Sequence, residues 1–339
     1  MKRLLSLLLV VLLVLAALAA LAGLAGWQAW QWWRAPLPLA AEPLVFTVPP
    51  GATVRSAAAA AVQAGVPVDA ERLYWGWRLS GDAPRIRAGS YAAERGDSPQ
   101  RLLQKLVKGE EWLESVQLLE GWTFAQVRAQ LAAQKHLQST LGALSDAELM
   151  ERLGRPGLSP QGRFFPDTYR YGRGLSDLAL LRQAQQAMDR QLQTAWDGRD
   201  PQLPLQTPED LLKLASIVEK ETGRDADRPL VAAVFANRLR IGMRLQTDPT
   251  VIFGLGERFD GNLRKIDLLT DGPYNSYTRA GLPPTPIALP GRASLLAAAR
   301  PASSKALYFV ARGDGSSAFS ETLSEHNRAV QRYQLSSTK

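Results

Sequence analysis

An uninterrupted apolar segment close to the N-terminus constrains the fold more than any other feature of this 339-residue chain. Residues 4–27 read LLSLLLVVLLVLAALAALAGLAGW, which is 24 residues with one serine and no charged side chain. Because a helix rises about 1.5 Å per residue, roughly 20 residues are enough to cross the hydrocarbon core of a bilayer. Tryptophans at positions 27, 30, 32 and 33 follow, as is typical of a membrane interface. The sequence therefore predicts a transmembrane helix over residues 4–27.

Charges beside the apolar segment predict its orientation. Lys2 and Arg3 place the short tip, residues 1–3, in the cytoplasm by the positive-inside rule. A cleaved signal peptide is the alternative, with Ala20–Ala22 as the cleavage site, but the apolar core of such peptides is usually only about 7–15 residues long. No second apolar stretch approaches spanning length, so we expect a retained anchor with residues 35–339 outside the cytoplasm. Nucleic acid is then not an expected partner.

Composition excludes several kinds of site. The chain has no cysteine, which excludes disulfides, thiolate metal ligands and a cysteine nucleophile. Its two histidines, His136 and His326, lack the spacing of metal ligands, and we expect both to be ordinary surface residues. We therefore expect neither a metal site nor a cofactor. The net charge of +8 suggests an anionic partner, although the basic residues are scattered and form no nucleic-acid motif.

The segment after the apolar helix has the pattern of a linker and a small α/β module. Residues 28–43 contain the proline-rich stretch APLPLAAEP and predict an extended linker. Residues 44–111 predict a strand, two helices, a second strand and a further helix. Thr53 is a candidate N-cap for the first helix of the module, and Ser98 followed by Pro99 marks the start of the last one. This order is common and indicates no function by itself.

Residues 112–339 have the pattern of a larger, mixed domain. The segment 271–291 contains five prolines and predicts a long irregular loop, a feature that is usually functional in a compact domain. The other expected elements are a strand before Thr123, a helix capped by Thr123, an aromatic loop at 162–171, helices at about 174–196, 207–222 and 227–240, loop and strand over 240–256, a hairpin with its tip at 313–315 and a final helix from about Thr322. Together they predict an α+β fold.

Two glutamates, Glu219 and Glu221, stand in an otherwise apolar helical segment, ASIVEKET. At about 100° per residue they lie on opposite shoulders of the apolar stripe, about 160° apart, so they cannot form a carboxyl dyad. Periodicity does not choose between them. Glu221 ends the helix against apolar neighbours, where desolvation raises the pKa of a carboxyl and keeps a proton available for a glycosidic oxygen. We interpret Glu219 as structural and paired with a nearby arginine or lysine.

Four strings resemble the endolytic murein transglycosylases, the MltG/YceG-like family of bacterial inner-membrane enzymes that cut peptidoglycan glycan strands. They are ASIVEKET (215–222), FANRLRIGMRLQTDPTVIFGLGER (235–258), YNSYTRAGLPPTPIALPG (274–291) and FFPDTY (164–169). The resemblance extends over essentially the whole chain. It implies an inner-membrane anchor, a LysM-like module over 44–111, and a periplasmic YceG-like catalytic domain over 112–339 with a lysozyme-like helical groove for the glycan.

The resemblance also implies a reaction and its residues. Glu221 matches the single catalytic glutamate of the family, which implies a lyase that cuts the bond between N-acetylmuramic acid (MurNAc) and N-acetylglucosamine (GlcNAc) and leaves a 1,6-anhydroMurNAc end. Such cleavage would limit strand length during wall synthesis, with peptidoglycan synthases as partners in the membrane. The two loop strings supply the candidate substrate-binding residues Gln246, Asp248, Asn275 and Tyr277.

Two other functions stay open on the sequence. A muramidase-type hydrolase would use Asp248 as the base for a water nucleophile and would release reducing ends. A non-catalytic, membrane-anchored scaffold of the wall-synthesis machinery would bind peptidoglycan, and both glutamates would then be structural. The products released from purified cell-wall sacculi discriminate among the three functions.

Overall fold

The N-terminal apolar segment forms one long helix, α1 (Lys2–Arg34), in a computed structural model that describes residues 2–39 and 43–335. Met1 of the predicted tip and residues 40–42 of the predicted linker lie outside these ranges. Of the described helices, α1 is the one long and apolar enough to cross a membrane, and its side chains are exposed from Ser6 to Gln31. The helix continues through residues 28–34, where the sequence predicts a linker.

The chain divides into two compact units. Unit 1 comprises residues up to 114 together with 171–173, and unit 2 comprises residues 115–170 and 174 onward. After α1, the elements of unit 1 are β1 (Leu44–Val48), α2 (Val54–Gln63), α3 (Ala70–Leu79), β2 (Gly89–Ala93) and α4 (Pro99–Lys108), with a 3₁₀ turn at Ala83–Arg85. Strands β1 and β2 pair antiparallel in the predicted strand–helix–helix–strand order.

Short-range signals determine the ends of these helices. Thr53 Oγ1 accepts a hydrogen bond from the N–H of Ser56 at 3.1 Å and so caps α2. Ser98 caps α4 in the same way, and Pro99 occupies the first turn, where it needs no backbone donor. Gly109 ends α4 in the left-handed conformation, with a φ of 72°. The predicted start of α4 is therefore confirmed.

Unit 2 is mainly helical. Its elements are β3 (Glu114–Gln117), α5 (Phe124–Ala132), α6 (Asp146–Arg152), β4 (Thr168–Tyr171), α7 (Asp177–Asp197), α8 (Pro208–Glu221), α9 (Arg228–Arg240), α10 (Asp248–Leu255), α11 (Lys265–Leu269), α12 (Arg292–Ala299), β5 (Tyr308–Ala311), β6 (Ser317–Ser320) and α13 (Leu323–Val330). The first and last residues of the β3–β4 pair belong to unit 1. Strands β5 and β6 form the predicted hairpin. The mixed α+β class is confirmed.

Helix α8 lies at the centre of unit 2 and carries the two glutamates near its C-terminal end. Its apolar residues, among them Leu211, Leu214 and Val218, are fully buried, and α7, α9 and α12 pack against it. Thr207 and Asp210 form a capping box at its start. Because α8 is packed over its whole length, Glu221 is presented by a rigid element.

The structure differs from the prediction at several elements of unit 2. A helix, α10, occupies eight residues in the second half of the stretch 240–256, for which loop and strand are predicted. Its β-branched and aromatic residues suggest a strand, but Asp248 and Pro249 in the first turn favour a helix start. Helices α6 and α12 have no counterpart in the prediction, and β4 lies in the predicted aromatic loop. The stretch 271–291 is irregular, as predicted.

Candidate active site

Glu221 faces a cavity of about 630 Å³ in unit 2. It is the last residue of α8, and Thr222 leaves the helix in an extended conformation. The other walls come from helix α9, the segment that leads into α10, the loop 271–291, strand β5 and the C-terminal segment. The cavity is lined by Glu221, Arg238, Leu245, Gln246, Asp248, Tyr277, Tyr308, Phe309, Val310, Ala311, Leu323, His326, Val330 and Gln334.

The surroundings of the Glu221 carboxyl raise its pKa above the ordinary value for a glutamate. Burial is the largest cause, because the charged form loses its hydration, and the negative charge of Asp248 acts in the same direction. A hydrogen bond donated by the Thr247 hydroxyl to Glu221 Oε1 and the positive charge of Arg238 oppose the rise. The carboxyl therefore holds its proton to a higher pH than an exposed glutamate does, as expected from its position at the helix end.

A buried hydroxyl network fixes Thr247, the residue that bonds to Glu221. The N–H of Thr247 donates to Ser276 Oγ at 2.9 Å, and Thr250 Oγ1 lies 2.8 Å from the same oxygen. Thr250 also donates to the carbonyl of Thr247 at 2.8 Å. All three hydroxyl residues are buried. Because their hydrogen bonds are made with one another, the donor to Glu221 is held in place before any substrate binds.

Gln246 has a backbone conformation that is rare for its residue type. Its φ is 49°, the one positive value among the described residues other than glycine. This left-handed conformation costs about 1–2 kcal/mol because Cβ approaches the following carbonyl oxygen. The N–H of Gln246 donates to the carbonyl of Ser276 at 3.1 Å, which ties the strained residue to the hydroxyl network. Strain of this kind concentrates at functional sites, and Gln246 also lines the cavity.

Replacing Gln246 by glycine and by alanine separates this strain from the side chain. We expect the glycine variant to be more stable than the alanine variant by about 1 kcal/mol, because only glycine adopts a positive φ freely. Both variants lack the amide, so both should lose the same share of the glycan cleavage that the sequence predicts, if that amide contacts the glycan. Urea denaturation and product release measure the two effects. Equal stability of the variants would contradict the strained backbone, and full activity in the alanine variant would exclude an amide contact.

Asp248 and Tyr277 meet on one wall of the cavity. The hydroxyl of Tyr277 donates to Asp248 Oδ1 at 2.6 Å. Burial, followed by this hydrogen bond, raises the pKa of Tyr277, so the phenol remains a donor at neutral pH. Of the four predicted substrate-binding residues, Gln246, Asp248 and Tyr277 therefore lie together with Glu221 in one cavity.

Asn275 lies elsewhere. It is buried and absent from the cavity lining. Its amide nitrogen donates to three carbonyls at the end of α11, with the shortest bond, of 2.7 Å, to Thr270, and its side-chain oxygen accepts the N–H of Tyr277 at 2.9 Å. This geometry favours a structural role for Asn275, which ties down the loop on which Tyr277 stands.

Three stacked side chains form another wall. The Arg238 guanidinium lies 5.3 Å from the centre of the Tyr308 ring. The ring of His326 stacks on the same tyrosine, with 5.2 Å between the ring centres and 23° between the planes. His326 is half-buried, and burial lowers its pKa, so it is neutral at neutral pH. It is therefore not the ordinary surface residue that the sequence predicts. Aromatic faces of this kind are suitable for stacking on sugar rings.

Glu219 lies away from this cavity. Its Oε2 accepts the N–H of Gly291 at 2.8 Å, at the start of α12. No lysine or arginine nitrogen in the described part of the chain lies within ion-pair distance of it, so the predicted pairing with a basic residue is wrong. The structural interpretation of Glu219 is supported, because it holds two helices together. Its charge contributes, after burial, to a raised pKa of neighbouring Glu120.

Sequence reasoning misses the residues that support Glu221. Thr247 stands between Gln246 and Asp248, two of the predicted binding residues, and nothing in the string marks it as the residue that bonds to the glutamate. Arg238 is one of many scattered basic residues and carries no distinguishing signal. A pattern of hydroxyl residues in the two loop strings, Thr247 and Ser276 among them, is the one local clue.

Comparisons with known proteins show the family of the chain. The YceG-like family model matches residues 46–332. An endolytic murein transglycosylase of Bacillus subtilis is 29% identical over 310 residues, which are 85% of this chain and 84% of that protein.

Two further proteins extend the comparison. An endolytic murein transglycosylase of Streptococcus pneumoniae is 27% identical over 281 residues, 72% of this chain but 50% of that protein. A crystal structure of a YceG-like protein from Listeria monocytogenes is 28% identical, with a TM-score of 0.55 over 85% of this chain and 98% of that one. The resemblance carried by the four strings is confirmed, and the chain belongs to the YceG-like family.

Proposed function

We propose that this protein is an endolytic peptidoglycan lytic transglycosylase in which Glu221 is the single acid and base. The observation that carries the proposal is the half-buried Glu221 carboxyl, which faces a cavity and accepts a hydrogen bond from the buried Thr247 hydroxyl. Because its pKa is raised, Glu221 keeps the proton that the reaction needs, and the Thr247 hydroxyl fixes the orientation of its carboxyl. The names of the Bacillus and Streptococcus relatives support the same activity.

The reaction needs one carboxyl group. Protonated Glu221 donates its proton to the oxygen between MurNAc and GlcNAc, and the bond from that oxygen to C1 of MurNAc breaks as positive charge develops on the sugar. The carboxylate of Glu221 then accepts the proton of the C6 hydroxyl of the same MurNAc. The C6 oxygen bonds to C1 and closes the 1,6-anhydro ring. No water is consumed, and Glu221 ends the cycle protonated.

The other cavity residues position the sugar. The Asp248 carboxylate, held by Tyr277, supplies negative charge near the developing cation. Gln246 and Tyr277 are candidate hydrogen-bond partners for sugar hydroxyls. His326, whose ring stacks on Tyr308, is a candidate surface for a sugar ring to stack on.

The length and apolar character of α1 support a membrane location for this reaction. We propose that α1 crosses the bacterial inner membrane with its N-terminus in the cytoplasm, so that unit 2 works in the periplasm on nascent glycan strands. The LysM-like module over 44–111 would bind glycan, and unit 2 would hold it in a lysozyme-like groove. Peptidoglycan synthases in the same membrane are the expected partners.

A muramidase-type hydrolase is the second candidate, and a specific observation favours it. Asp248 shares the cavity with Glu221, so a water activated by Asp248 could attack C1. The hydrolase would need Asp248 ionised and would release ends heavier by one water.

Product analysis tests the proposal. The 339-residue chain in detergent is incubated with purified sacculi, and the soluble fragments are identified by mass spectrometry. Anhydro ends are the expected result. Hydrated reducing ends would support the hydrolase instead, and binding without soluble products would support the scaffold.

A pH profile of the Thr247→Val variant tests the role of the hydroxyl. Glu221 must start protonated, so cleavage is lost as the pH rises through its pKa. The Thr247 bond lowers that pKa, so its removal should move the alkaline limb of kcat/KM to higher pH. Thr222→Val, which removes a hydroxyl that bonds to Arg224 instead, should leave the limb unchanged. A limb that does not move, or moves downward, would contradict the assigned hydrogen bond.

A further inference from the structure

The junction between α1 and the small module is a packed interface. Trp32 and Trp33, at the end of α1, lie so close to α3 that a Cβ on Gly76 would meet their rings at 3.2 and 3.0 Å. Leu37 is buried in the module, and its N–H donates to the carbonyl of Asp97 at 2.7 Å. The module is therefore a direct continuation of the anchor helix within unit 1.

Helix α3 carries an exposed apolar edge beside this junction. Trp75 is 49% exposed and Leu79 is 80% exposed. With Trp30 of α1, they line a groove of about 550 Å³ between the two helices. Large apolar side chains grouped in this way on a surface mark a contact with a partner.

Helix geometry places the groove at the edge of the bilayer. If the bilayer is centred on residues 4–27, a core of about 30 Å takes up about 20 of them. Trp30 then lies roughly 7 Å beyond the core, among the headgroups, where tryptophan is enriched. Because Trp75 and Leu79 line the same groove as Trp30, they lie at a similar depth.

We infer that α3 docks on the surface of the bilayer that α1 crosses, with Trp75 and Leu79 among the lipid headgroups. The inference rests on the proposed membrane anchor. Lipid is favoured over a protein partner because one wall of the groove belongs to the crossing helix itself, so the apolar surface is continuous from α1 onto α3. The Arg72 guanidinium, 4.3 Å from the Trp32 ring, supplies a cation for lipid phosphates at this depth. Docking fixes the height and tilt of the module.

Depth measurements on the full chain in nanodiscs test the docking. Because the chain has no cysteine, single cysteines can be introduced and labelled with a fluorophore. Leu79→Cys reports on the groove, Gln63→Cys on an exposed site of α2 outside it, and Leu15→Cys on the middle of α1. The label at 79 should lose about half of its emission to lipids brominated close to the headgroup, as expected for an interfacial site. The label at 63 should respond to aqueous iodide instead.

The three labels separate the possible outcomes. Quenching at 15 by deeply brominated lipid establishes the anchor, and its absence would overturn the anchor together with the docking. If 15 is quenched by lipid but 79 responds to iodide as 63 does, the docking alone is wrong. Protection of the label at 79 from both quenchers would overturn the docking and indicate a protein in the groove. If that protection disappears when each disc holds one chain, the protein is a second copy of this chain.

Discussion

Replacing Glu221 by glutamine should slow the release of anhydro-ended fragments by about 10²- to 10⁴-fold, the range that one general acid–base group contributes. The amide has nearly the same shape as the carboxyl, and its oxygen can still accept the Thr247 hydroxyl, but it has no proton to give to the glycosidic oxygen. The rate is measured by mass spectrometry of fragments released from sacculi. Binding to sacculi should be unchanged, because the substitution removes no contact surface.

The matched control is Glu219→Gln, two residues earlier on the same helix. Its amide oxygen can still accept the N–H of Gly291, so cleavage should stay close to the wild-type rate. Loss of activity in this variant, with Glu221→Gln active, would reverse the assignment.

Thermal stability provides a second readout for Glu221→Gln. A carboxyl whose pKa is raised on folding adds stability below its unfolded pKa, and that stability is lost as the pH rises through the folded pKa. Glutamine does not titrate, so the Tm of the variant relative to wild type should increase with pH over this window. A difference in Tm that does not vary with pH would contradict the raised pKa of Glu221.

Much of the fold follows from short-range signals in the sequence. Thr53, Ser98, Thr123 and Thr322 each accept the hydrogen bond expected of an N-cap, because capping depends only on the three residues that follow. Helix α12 escapes prediction because its eight residues are stabilised by burial of Leu295, Ala297 and Ala298 in the core around α8, and so short a segment shows no clear period. Long-range packing thus accounts for that omission.

The candidate site also combines a residue that the sequence predicts with residues that only the tertiary structure reveals. Glu221 is predictable because helix periodicity and its apolar neighbours belong to one segment of chain. Its partners Thr247 and Arg238 come from other elements, and only the tertiary structure brings them to the carboxyl. A sequence pattern shows that a loop is polar and unusual, but it does not show which of its side chains turns toward a helix end. Asn275 is therefore predicted to bind substrate, and Thr247 is missed.

Arg238 carries the second large expected effect, on stability. Its side chain is only 7% exposed, and it donates to the carbonyls of Leu245 at 2.6 Å and Leu307 at 2.7 Å. The substitution Arg238→Met leaves both carbonyls without this donor and should lower the free energy of unfolding by about 3–5 kcal/mol. Arg240→Met, on the exposed side of α9, should change it by less than about 0.5 kcal/mol. Urea denaturation of the full chain in detergent measures both.

Arg238→Lys separates the charge of this residue from its hydrogen bonds. Lysine keeps a cation near Glu221 but cannot match the fork that reaches both carbonyls, so the variant should lose stability and keep the alkaline limb of the pH profile. Arg238→Met should also move that limb upward, because the positive charge that lowers the pKa of Glu221 is gone. If both variants shift the alkaline limb of the pH profile equally, the shift comes from a displaced backbone and not from the lost charge. A limb that moves only in the methionine variant establishes that the buried cation tunes the acid.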